Sequence, residues 1–338
     1  MIKNYIKVIK KSFTFLRLIN CIKVAVSYGL SLLLKKTIVW GYPVMVMIEP
    51  TNICNLRCPL CPSGIGQLTR GRGCMSFELF KSIIDQIEKH SFGILLWNQG
   101  EPFLNPDFLK MVAYANSKRL YLLTSTNANV EFNAQEIINS GLDLMIVSLD
   151  GTTQETYSKY RKGGELSLVL KNVQNIIQTK KAKNSCSPLL VWQFLVMKHN
   201  EHEVEQIKTL STELGVDMLA YKTVQIYSKE DIDEFLPKNQ KYSRYNLSDI
   251  NTNLNTPILK NKCYRIWMQP VVNWNGEMAV CCFDKDIQIK VGDVSKTTFK
   301  KVWKSKEFMN FRKNILKNRK KYEICRNCGE GTVLQIRN

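Results

Sequence analysis

Six short apolar runs, separated by segments with helical periodicity, constrain the fold of this chain more than any other feature of its sequence. The runs are VMVMIE (44–49), GILLW (93–97), LYLLTST (120–126), LMIVSL (144–149), LLVWQFLVM (189–197) and MLAYKTV (218–224). Continuous apolar runs of this length are typical of parallel strands that are covered on both faces. Alternating strands and helices predict right-handed βαβ units, and six units favour an α/β fold with a partial (β/α)6 TIM-like barrel over a closed eight-unit barrel.

The same pattern divides the chain into four expected segments. Residues 1–42 are expected to form a basic, apolar, helical N-terminal extension, and residues 43–228 to form the barrel. Residues 229–262 are polar and rich in Asn, which is typical of a linker or of an insert over the barrel mouth. Residues 263–338 contain spaced cysteines and are expected to form a small C-terminal module.

Capping signals predict where several helices begin. Ser76 precedes FELFKSIIDQIEKH and is a favourable N-cap. Asn105 is expected to cap the helix that follows Pro106, because proline is tolerated at the first helical position. Thr152 with Glu155 has the spacing of a capping box.

Three cysteines follow the first predicted strand at the spacing C-x3-C-x2-C: Cys54, Cys58 and Cys61. Barrel folds place their chemistry in loops at the carboxyl ends of strands. Cysteine thiolates suit both iron–sulfur clusters and zinc. A structural zinc site usually has four ligands, and no fourth Cys or His lies nearby in the sequence. The spacing favours three ligands of a 4Fe-4S cluster with one iron left open, and structural zinc is the alternative.

This motif, on the loop after strand one, resembles the signature of the radical S-adenosylmethionine (SAM) superfamily. The resemblance implies that the open iron binds the amino and carboxylate groups of SAM. It also implies that one electron from the cluster cleaves SAM to methionine and a 5′-deoxyadenosyl radical, which abstracts a hydrogen atom from the substrate. Leu60 departs from the pattern, because the superfamily often has an aromatic residue before the last cysteine.

Motifs at the ends of later strands extend the resemblance. WNQGEP (97–102) looks like the family's GGEP motif, which implies that Gly100 and Glu101 meet the SAM amino group. Arg161 in YRKGG resembles the arginine that pairs with the SAM carboxylate. The polar residues after strands three and four imply contacts to ribose hydroxyls: Ser125, Asn127 and Ser148. Turn formation, helix capping and surface exposure are the alternative roles of these residues.

A second group of cysteines lies in the C-terminal module. Cys263 and Cys281 flank a predicted hairpin with its turn at Gly276, and Cys325 and Cys328 form a C-x2-C pair. Taken alone, these four cysteines favour a zinc site. Beside the first motif they resemble the SPASM/twitch extension of radical SAM enzymes, which implies an auxiliary 4Fe-4S cluster ligated by all four.

The resemblance implies the shorter twitch form with one auxiliary cluster, because no cysteine follows Cys328. Cys282 lies beside Cys281 and is interpreted either as structural or as a hydrogen-atom donor. No catalytic acid or base can be named. Candidates to face the cavity are Tyr221, Lys222, Gln225 and Asp284.

The family resemblance implies hydrogen abstraction followed by oxidation or epimerisation of a small polar molecule, such as a sugar or an anionic metabolite. An alternative is a maturase that modifies a peptide or protein, like the anaerobic sulfatase-maturating enzymes. A third hypothesis, from another class, is a non-catalytic metal-binding scaffold at a membrane surface. For the enzymatic readings, a reductase such as flavodoxin or ferredoxin is the expected electron donor.

The charge and the cysteine content bear on partners and compartment. The net charge is +19, from 48 Lys and Arg against 29 Asp and Glu, but it is spread along the chain. No basic motif interleaved with aromatic residues is present, so nucleic acid is not an expected partner. The excess charge favours an anionic substrate or an anionic membrane surface. Eleven cysteines, mostly clustered, indicate metal in a reducing compartment, which predicts a cytoplasmic protein.

The N-terminal segment FTFLRLINCIKVAVSYGLSLLL (13–34) is apolar but interrupted by Arg17 and Lys23. A signal peptide is not expected, because no small-residue cleavage site clearly follows. A helix packed on the barrel is the favoured interpretation. Peripheral membrane contact through residues 1–36 is the alternative, because lysines flank the apolar segment.

Overall fold

Six parallel strands in sequence order form the centre of the computed structural model, which describes residues 10–248 and 260–328. The strands are β1 (Met45–Ile48), β2 (Gly93–Leu96), β3 (Tyr121–Thr126), β4 (Leu144–Ser148), β5 (Leu189–Val196) and β6 (Met218–Thr223). Each pairs in parallel with the next. Every strand lies within a predicted apolar run, and its ends differ from that run by no more than one residue. The predicted α/β fold with a partial barrel is confirmed.

Helices connect these strands and pack against them in one apolar core. They are α1 (Phe15–Leu34), α2 (Phe77–Ile87), α3 (Phe108–Ser117), α4 (Ala134–Asn139), α5 (Gln154–Tyr160), α6 (Leu166–Ala182) and α7 (Val204–Leu214). In α2 the spacing of Phe80, Ile83, Ile84 and Ile87 places four apolar side chains on one face, and all four are fully buried. Because the paired strands are parallel, their carboxyl ends meet at one edge of the sheet, and the loops that carry the predicted motifs lie together there.

One of the three predicted helix starts is confirmed and two are wrong by one or two residues. The Ser76 hydroxyl accepts a hydrogen bond from the Leu79 amide at 3.2 Å and caps α2. Helix α5 is capped by Thr153 instead of Thr152, because the Thr152 amide donates to the Glu203 carboxylate at 2.7 Å.

Helix α3 starts after Asp107, because the Asn105 side chain is engaged elsewhere. Its oxygen accepts from the Asp107 amide at 2.9 Å, and its amide group donates to the carbonyls of Pro50 and Met75. Asn105 therefore ties three loops together at the carboxyl edge of the sheet and does not cap the helix.

The C-terminal module continues the same sheet beyond β1. Strand β7 (Val271–Val272) pairs in parallel with β1, and β8 (Met278–Ala279) pairs antiparallel with β7. The predicted hairpin turn at Gly276 is confirmed, with φ of 93°, a conformation that favours glycine. The order β6-β5-β4-β3-β2-β1-β7-β8 leaves the sheet open, with β6 and β8 at its edges.

Short helices complete the described part of the chain. They are α8 (Lys229–Phe235), α9 (Arg265–Met268), α10 (Phe299–Trp303), α11 (Lys306–Asn318) and α12 (Glu323–Arg326), with 3-10 turns at Pro102–Leu104, Glu201–Glu203, Gln240–Tyr242 and Arg319–Lys321. Within the expected insert, Phe235 and Tyr245 pack with Leu56 and Leu60 of the first cysteine loop. Parts of three expected segments lie outside the described residues: 1–9, 249–259 and 329–338.

Candidate active site

A cavity of about 300 Å³ opens at the carboxyl ends of the parallel strands. The three cysteines of the first motif line it: Cys54, Cys58 and Cys61. The six residues predicted to contact SAM line it as well: Gly100, Glu101, Ser125, Asn127, Ser148 and Arg161. The order of the strands alone thus brings residues more than 100 positions apart in the sequence into one cavity.

The cysteine loop presents its sulfur atoms to hydrogen-bond donors. The Leu56 amide lies 3.5 Å from Cys54 Sγ, and Asn127 Nδ2 lies 3.7 Å from the same sulfur. Arg161 Nη1 lies 3.8 Å from Cys58 Sγ. Donors at these positions favour thiolates, which are the form that binds iron.

Burial acts against the donors while no metal is bound. It raises the pKa of Cys54 to about 11 and also raises the pKa of Cys58, where nearby Arg161 opposes the shift. The free thiols of Cys54 and Cys58 are therefore protonated near neutral pH, and binding of iron releases their protons.

The WNQGEP loop packs directly beneath the cysteine loop. Gly100 has φ of 75°, and a Cβ atom there would lie 2.6 Å from the Thr51 carbonyl oxygen. The next amide, that of Glu101, donates to the Ile53 carbonyl at 2.8 Å. Glycine is required here by both conformation and space, so that the two loops keep a fixed separation.

The Glu101 carboxylate faces the end of β3. It accepts hydrogen bonds from the Thr126 hydroxyl and the Asn127 amide, both at 2.7 Å, and a third from the Phe103 amide at 3.3 Å. Burial raises its pKa to about 7. Glu101 thus joins two cofactor-facing loops in addition to lining the cavity.

Asp150 lies in the SLDG motif after β4, where the sequence left a cofactor contact and a turn equally open. It is fully buried, accepts from Arg161 Nε at 2.6 Å and accepts from the Leu195 amide at 2.7 Å. Burial disfavours the charge of Arg161, but Asp150 and Cys58 outweigh burial and raise the pKa of Arg161. Asp150 therefore fixes Arg161 beside the cysteine loop. Its only sequence signal was its position in SLDG, which suits a turn equally well.

The wall opposite the cysteines is cationic. Lys222 projects from β6 into the cavity, where Arg244 and Lys285 also contribute to the lining. The cavity walls desolvate Lys222 and, with the neighbouring Arg244, lower its pKa, although the side chain is exposed to the solvent of the cavity. Lys222 makes no hydrogen bond or salt bridge with any residue in the described ranges, which makes it available to an anionic group of a bound molecule.

Two of the four candidates to face the cavity do line it, Lys222 and Gln225. Tyr221 does not, because successive strand residues point to opposite faces; its hydroxyl instead donates to the Val204 carbonyl at 3.0 Å. Asp284 is also turned away and accepts from the amides of Gln288 and Ile289.

The cysteines of the C-terminal module surround a buried arginine that the sequence interpretation missed. Arg319 Nη2 lies 3.2 Å from Cys328 Sγ, and Arg319 Nη1 donates to the Lys262 carbonyl at 2.8 Å. Burial lowers the pKa of Arg319, but Cys263, Cys328 and Cys325 raise it above its ordinary value. Of the four predicted ligands, Cys263 and Cys325 act electrostatically on Cys281 and so lie close to it, and Cys328 is linked to them through Arg319.

The described residues of the chain form no site for a single metal ion. In residues 10–248 and 260–328, no three Cys, His, Asp or Glu side chains converge at the distances that a single metal ion requires. A 4Fe-4S cube bridges its ligands through several atoms and accepts wider spacing. Cys282 packs with the apolar cluster of Met47, Val271 and Ile287, outside the cavity lining.

Comparisons with known proteins agree with this geometry. The radical SAM superfamily model matches residues 48–211, and the model of the SPASM iron–sulfur cluster-binding domain matches residues 263–329. Mycofactocin maturase MftC of Mycobacterium ulcerans is 28% identical over 179 residues, covering 52% of this chain and 46% of that protein. PqqA peptide cyclase of Bradyrhizobium diazoefficiens is 24% identical, covering 56% and 48%. The chain therefore aligns with about half the length of these two relatives.

A third relative aligns over most of the chain. The tungsten-containing aldehyde ferredoxin oxidoreductase cofactor-modifying protein of Pyrococcus furiosus is 22% identical, covering 83% of this chain and 86% of that protein. Among solved structures, SuiB of Streptococcus suis bound to S-adenosylmethionine has a TM-score of 0.65 at 12% identity, covering 86% and 73%. BtrN in complex with AdoMet and 2-DOIA has a TM-score of 0.53 at 16% identity, covering 85% and 93%. The structural likenesses show the fold alone.

The two matched models fall on the parts of the chain that carry the two cysteine groups. The first covers the loop of Cys54, Cys58 and Cys61, and the second covers all four cysteines around Arg319. The chain belongs to the radical SAM superfamily and carries a SPASM domain, and it is an enzyme whose cofactors are SAM, a SAM-binding 4Fe-4S cluster and auxiliary iron–sulfur.

Proposed function

We propose that this radical SAM enzyme modifies a residue within a peptide or protein chain. The observation that carries the proposal is a second cavity that adjoins the active-site cavity along the C-terminal module. The two cavities share Gln225, Tyr227 and Lys285, and each has a volume of about 300 Å³. Together they form a groove that leads from the cysteine loop past α12.

The composition of the groove suits an extended chain. Its outer part combines apolar side chains, Phe283 and Ile324, with the polar Gln288 and Asn327. A bound peptide presents both side chains and hydrogen-bonding backbone groups. A groove that binds it therefore needs apolar side chains for the former and polar side chains for the latter. A sugar would occupy a single enclosed pocket and leave the outer part unused.

The relatives support the same substrate class. Two of them are named as a maturase and a peptide cyclase. The prediction of a small, sugar-like substrate stays a prediction, as does a choice between oxidation and epimerisation. The peptide alternative is the better supported of the two.

Each group of residues has a distinct task in this proposal. When bound, SAM and its cluster supply the one-electron chemistry that removes a hydrogen atom from the substrate. Cys54, Cys58 and Cys61 would hold the cluster, and Arg161, anchored by Asp150, would bind the SAM carboxylate.

Apolar and cationic side chains would shape the rest of the site. Leu56, Tyr160 and Phe235 pack together beside the cavity and would exclude water. Lys222 would bind an acidic group of the peptide. A flavodoxin or ferredoxin would supply the electron, and the net charge of +19 favours association with an acidic carrier.

Isotope transfer tests the substrate class directly. The full chain is reconstituted anaerobically and incubated with SAM, dithionite and either a pool of deuterated peptides or a pool of deuterated sugars. We expect deuterium in 5′-deoxyadenosine from the peptides. Transfer from the sugars alone would refute the proposal. Loss of one deuterium and one further hydrogen from the recovered peptide would identify oxidation, and replacement of the deuterium by hydrogen would identify epimerisation.

A bulky substitution tests the groove. Gln288 lines only its outer part and is exposed. Gln288→Trp should lower peptide-derived deuterium transfer several-fold while iron content stays unchanged. Gln178→Trp, at an exposed residue lining a shallow cavity on another face, is the matched control and should leave transfer unchanged. Equal transfer in both variants would show that substrate does not use the groove.

A further inference from the structure

An ordinary amphipathic helix packs its apolar face on the protein, whereas helix α1 packs its polar face. Its buried residues are Arg17, Asn20, Val24, Ser27 and Ser31, four of which are polar. They recur at spacings of three and four and so form one stripe. The polar face of α1 therefore packs on the protein, and the remaining faces carry the apolar side chains.

The polar stripe is held by hydrogen bonds to backbone groups at the amino edge of the sheet. Arg17 donates to the carbonyls of Glu88 and Lys118, which precede β2 and β3, at distances of 2.7 to 2.9 Å. Asn20 donates to the carbonyl of His90 at 3.1 Å and accepts from the Tyr42 amide at 2.8 Å. These contacts fix which face of α1 points outward, on the side of the sheet opposite the active site.

The outward face is a continuous apolar stripe. Phe15 is 70% exposed, Ile22 53%, Val26 45% and Leu33 76%. These residues lie on one side of the helix over a length of about 27 Å. Trp40, 52% exposed, extends the apolar surface beyond the end of the helix. An exposed apolar surface of this length marks an interaction site.

The charge around the stripe indicates what covers it. No acidic residue precedes Glu49, whereas eight basic residues do: Lys3, Lys7, Lys10, Lys11, Arg17, Lys23, Lys35 and Lys36. Lys3 and Lys7 lie outside the described residues, Arg17 is buried, and Lys11 pairs with Asp143. Lys10, Lys23, Lys35 and Lys36 are exposed. Two copies of this surface would repel each other, whereas an anionic lipid surface would attract it.

The hydrogen bonds of Arg17 and Asn20 also decide whether α1 can cross a bilayer or only lie on it. By length and composition, α1 is the one helix in the described ranges that could span a membrane. Spanning would detach Arg17 and Asn20 from the barrel and expose a guanidinium group to hydrocarbon. A helix that keeps these contacts can insert only its outward face.

We propose that α1 lies in the interface of an anionic bilayer, with the Phe15–Leu33 stripe among the acyl chains and its flanking lysines among the headgroups. Trp40 sits at headgroup depth, where indole rings are favoured. Because α1 covers the amino edge of the sheet, the active-site cavity then faces away from the membrane and stays open to its substrate. The inference is independent of the reaction proposed above.

Vesicle binding by the holoenzyme tests this proposal. We expect co-sedimentation with phosphatidylglycerol-containing vesicles, weak binding to pure phosphatidylcholine, and weakening by salt. Ile22→Gln with Val26→Gln should reduce binding about tenfold or more. Lys35→Glu with Lys36→Glu should do the same, whereas Lys171→Glu with Lys208→Glu, which changes the net charge equally at exposed helix positions, should have little effect.

Depth and self-association complete the test. Brominated phospholipids should quench the wild-type fluorescence more than that of Trp40→Phe, which retains the other five of the six tryptophans. Absence of vesicle binding, or equal binding by the outward-face variant, would overturn the proposal. A dimer in light scattering that becomes monomeric in the Ile22 and Val26 variant, without vesicle binding, would assign the stripe to self-association instead.

Discussion

Asp150 and Arg161 form the most constrained polar pair at the active site. The Asp150 side chain is fully buried and that of Arg161 is 13% exposed. In so little water the guanidinium depends on its carboxylate partner, and the same carboxylate is held by the Leu195 amide. The position of Arg161 beside Cys58 is therefore set by a residue that never needs to touch the cofactor.

Removing the charge of Asp150 should weaken SAM binding more than breaking an ion pair remote from the site does. Asp150→Asn should cost about 3 kcal/mol of unfolding free energy, because it leaves the buried guanidinium without a counter-charge. The dissociation constant for SAM, measured by equilibrium dialysis, should rise. Asp217→Asn, which breaks a pair with Lys180 before β6, should leave that constant unchanged. Equal SAM affinity in Asp150→Asn would contradict this role.

Gly100 provides a second prediction at this scale. Gly100→Ala adds a Cβ atom 2.6 Å from a backbone oxygen and should displace the cysteine loop, with loss of iron from the SAM site. Gly215→Ala is the matched control, since its φ is 79° and nothing lies within 4 Å of the added atom. The control should lose only about 1 kcal/mol and keep its iron. Iron content and the urea midpoint measure the two effects.

The lowered pKa of Lys222 predicts that its effect on the stability of the fold depends on pH. Its folded-state pKa lies below the ordinary value of 10.5, so the protonated amine opposes folding at neutral pH. Lys222→Met should therefore raise the unfolding temperature at neutral pH, and the difference should shrink as pH rises toward 10.5 and both states lose the proton. Lys208→Met on the exposed face of α7 should change little at either pH. A constant difference across this range would exclude the charge as its cause.

At the scale of elements, the C-terminal cysteines depend on a short 3-10 turn that carries Arg319. Arg319→Gln removes the donor to Cys328 Sγ and the opposing charge among the thiols. With one auxiliary cluster, iron should fall from about eight to about four atoms per chain. Arg326→Gln, an exposed position between Cys325 and Cys328, should retain all of it. Full iron content in Arg319→Gln would contradict the prediction.

The strands could be predicted from sequence because burial on both faces leaves a continuous apolar run in each one. The cysteine spacing was equally informative, since ligands close in sequence must lie close in space. Thr152 and Thr153 could not be separated, because both can cap and the choice was made by Glu203, which is 51 residues away. Arg319 was missed, and the role of Asp150 was left open, for the same reason: their partners are defined only by tertiary contacts. For α1, the sequence predicted a helix but not which face would point outward.

At the scale of the molecule, one loop adds side-chain hydrogen bonds between the barrel and the C-terminal module to the pairing of β1 with β7. Asp286 of the module accepts hydrogen bonds from the amides of Thr69 and Arg70, at 2.9 and 3.1 Å. Arg70 in turn donates from both Nη atoms to Glu49 at the end of β1, with distances of 2.6 Å. The C-terminal module is thus linked through Arg70 to β1, the strand that carries the cysteine loop.

Breaking this link should loosen the loop without unfolding the module. Asp286→Ala should speed hydrogen exchange at the amides of Thr69 and Arg70, while α11 stays protected. Asp293→Ala, which removes bonds within a module turn to Ser295, is the control and should leave exchange in the loop unchanged. Exchange that accelerates equally in both variants would show that Asp286 has no special role.

The pairing of β7 with β1 has a consequence for electron transfer. Electron tunnelling slows steeply as distance grows, so a fixed separation keeps the rate of transfer between two redox centres constant. Here the strand that ends at the first cysteine loop is hydrogen-bonded to the hairpin that lies between Cys263 and Cys281. The interval between the two groups of thiols is therefore set by a backbone ladder, not by the chain that connects the barrel to the module. A change in the number of residues within 229–262 would therefore leave the spacing between the two groups of thiols unchanged.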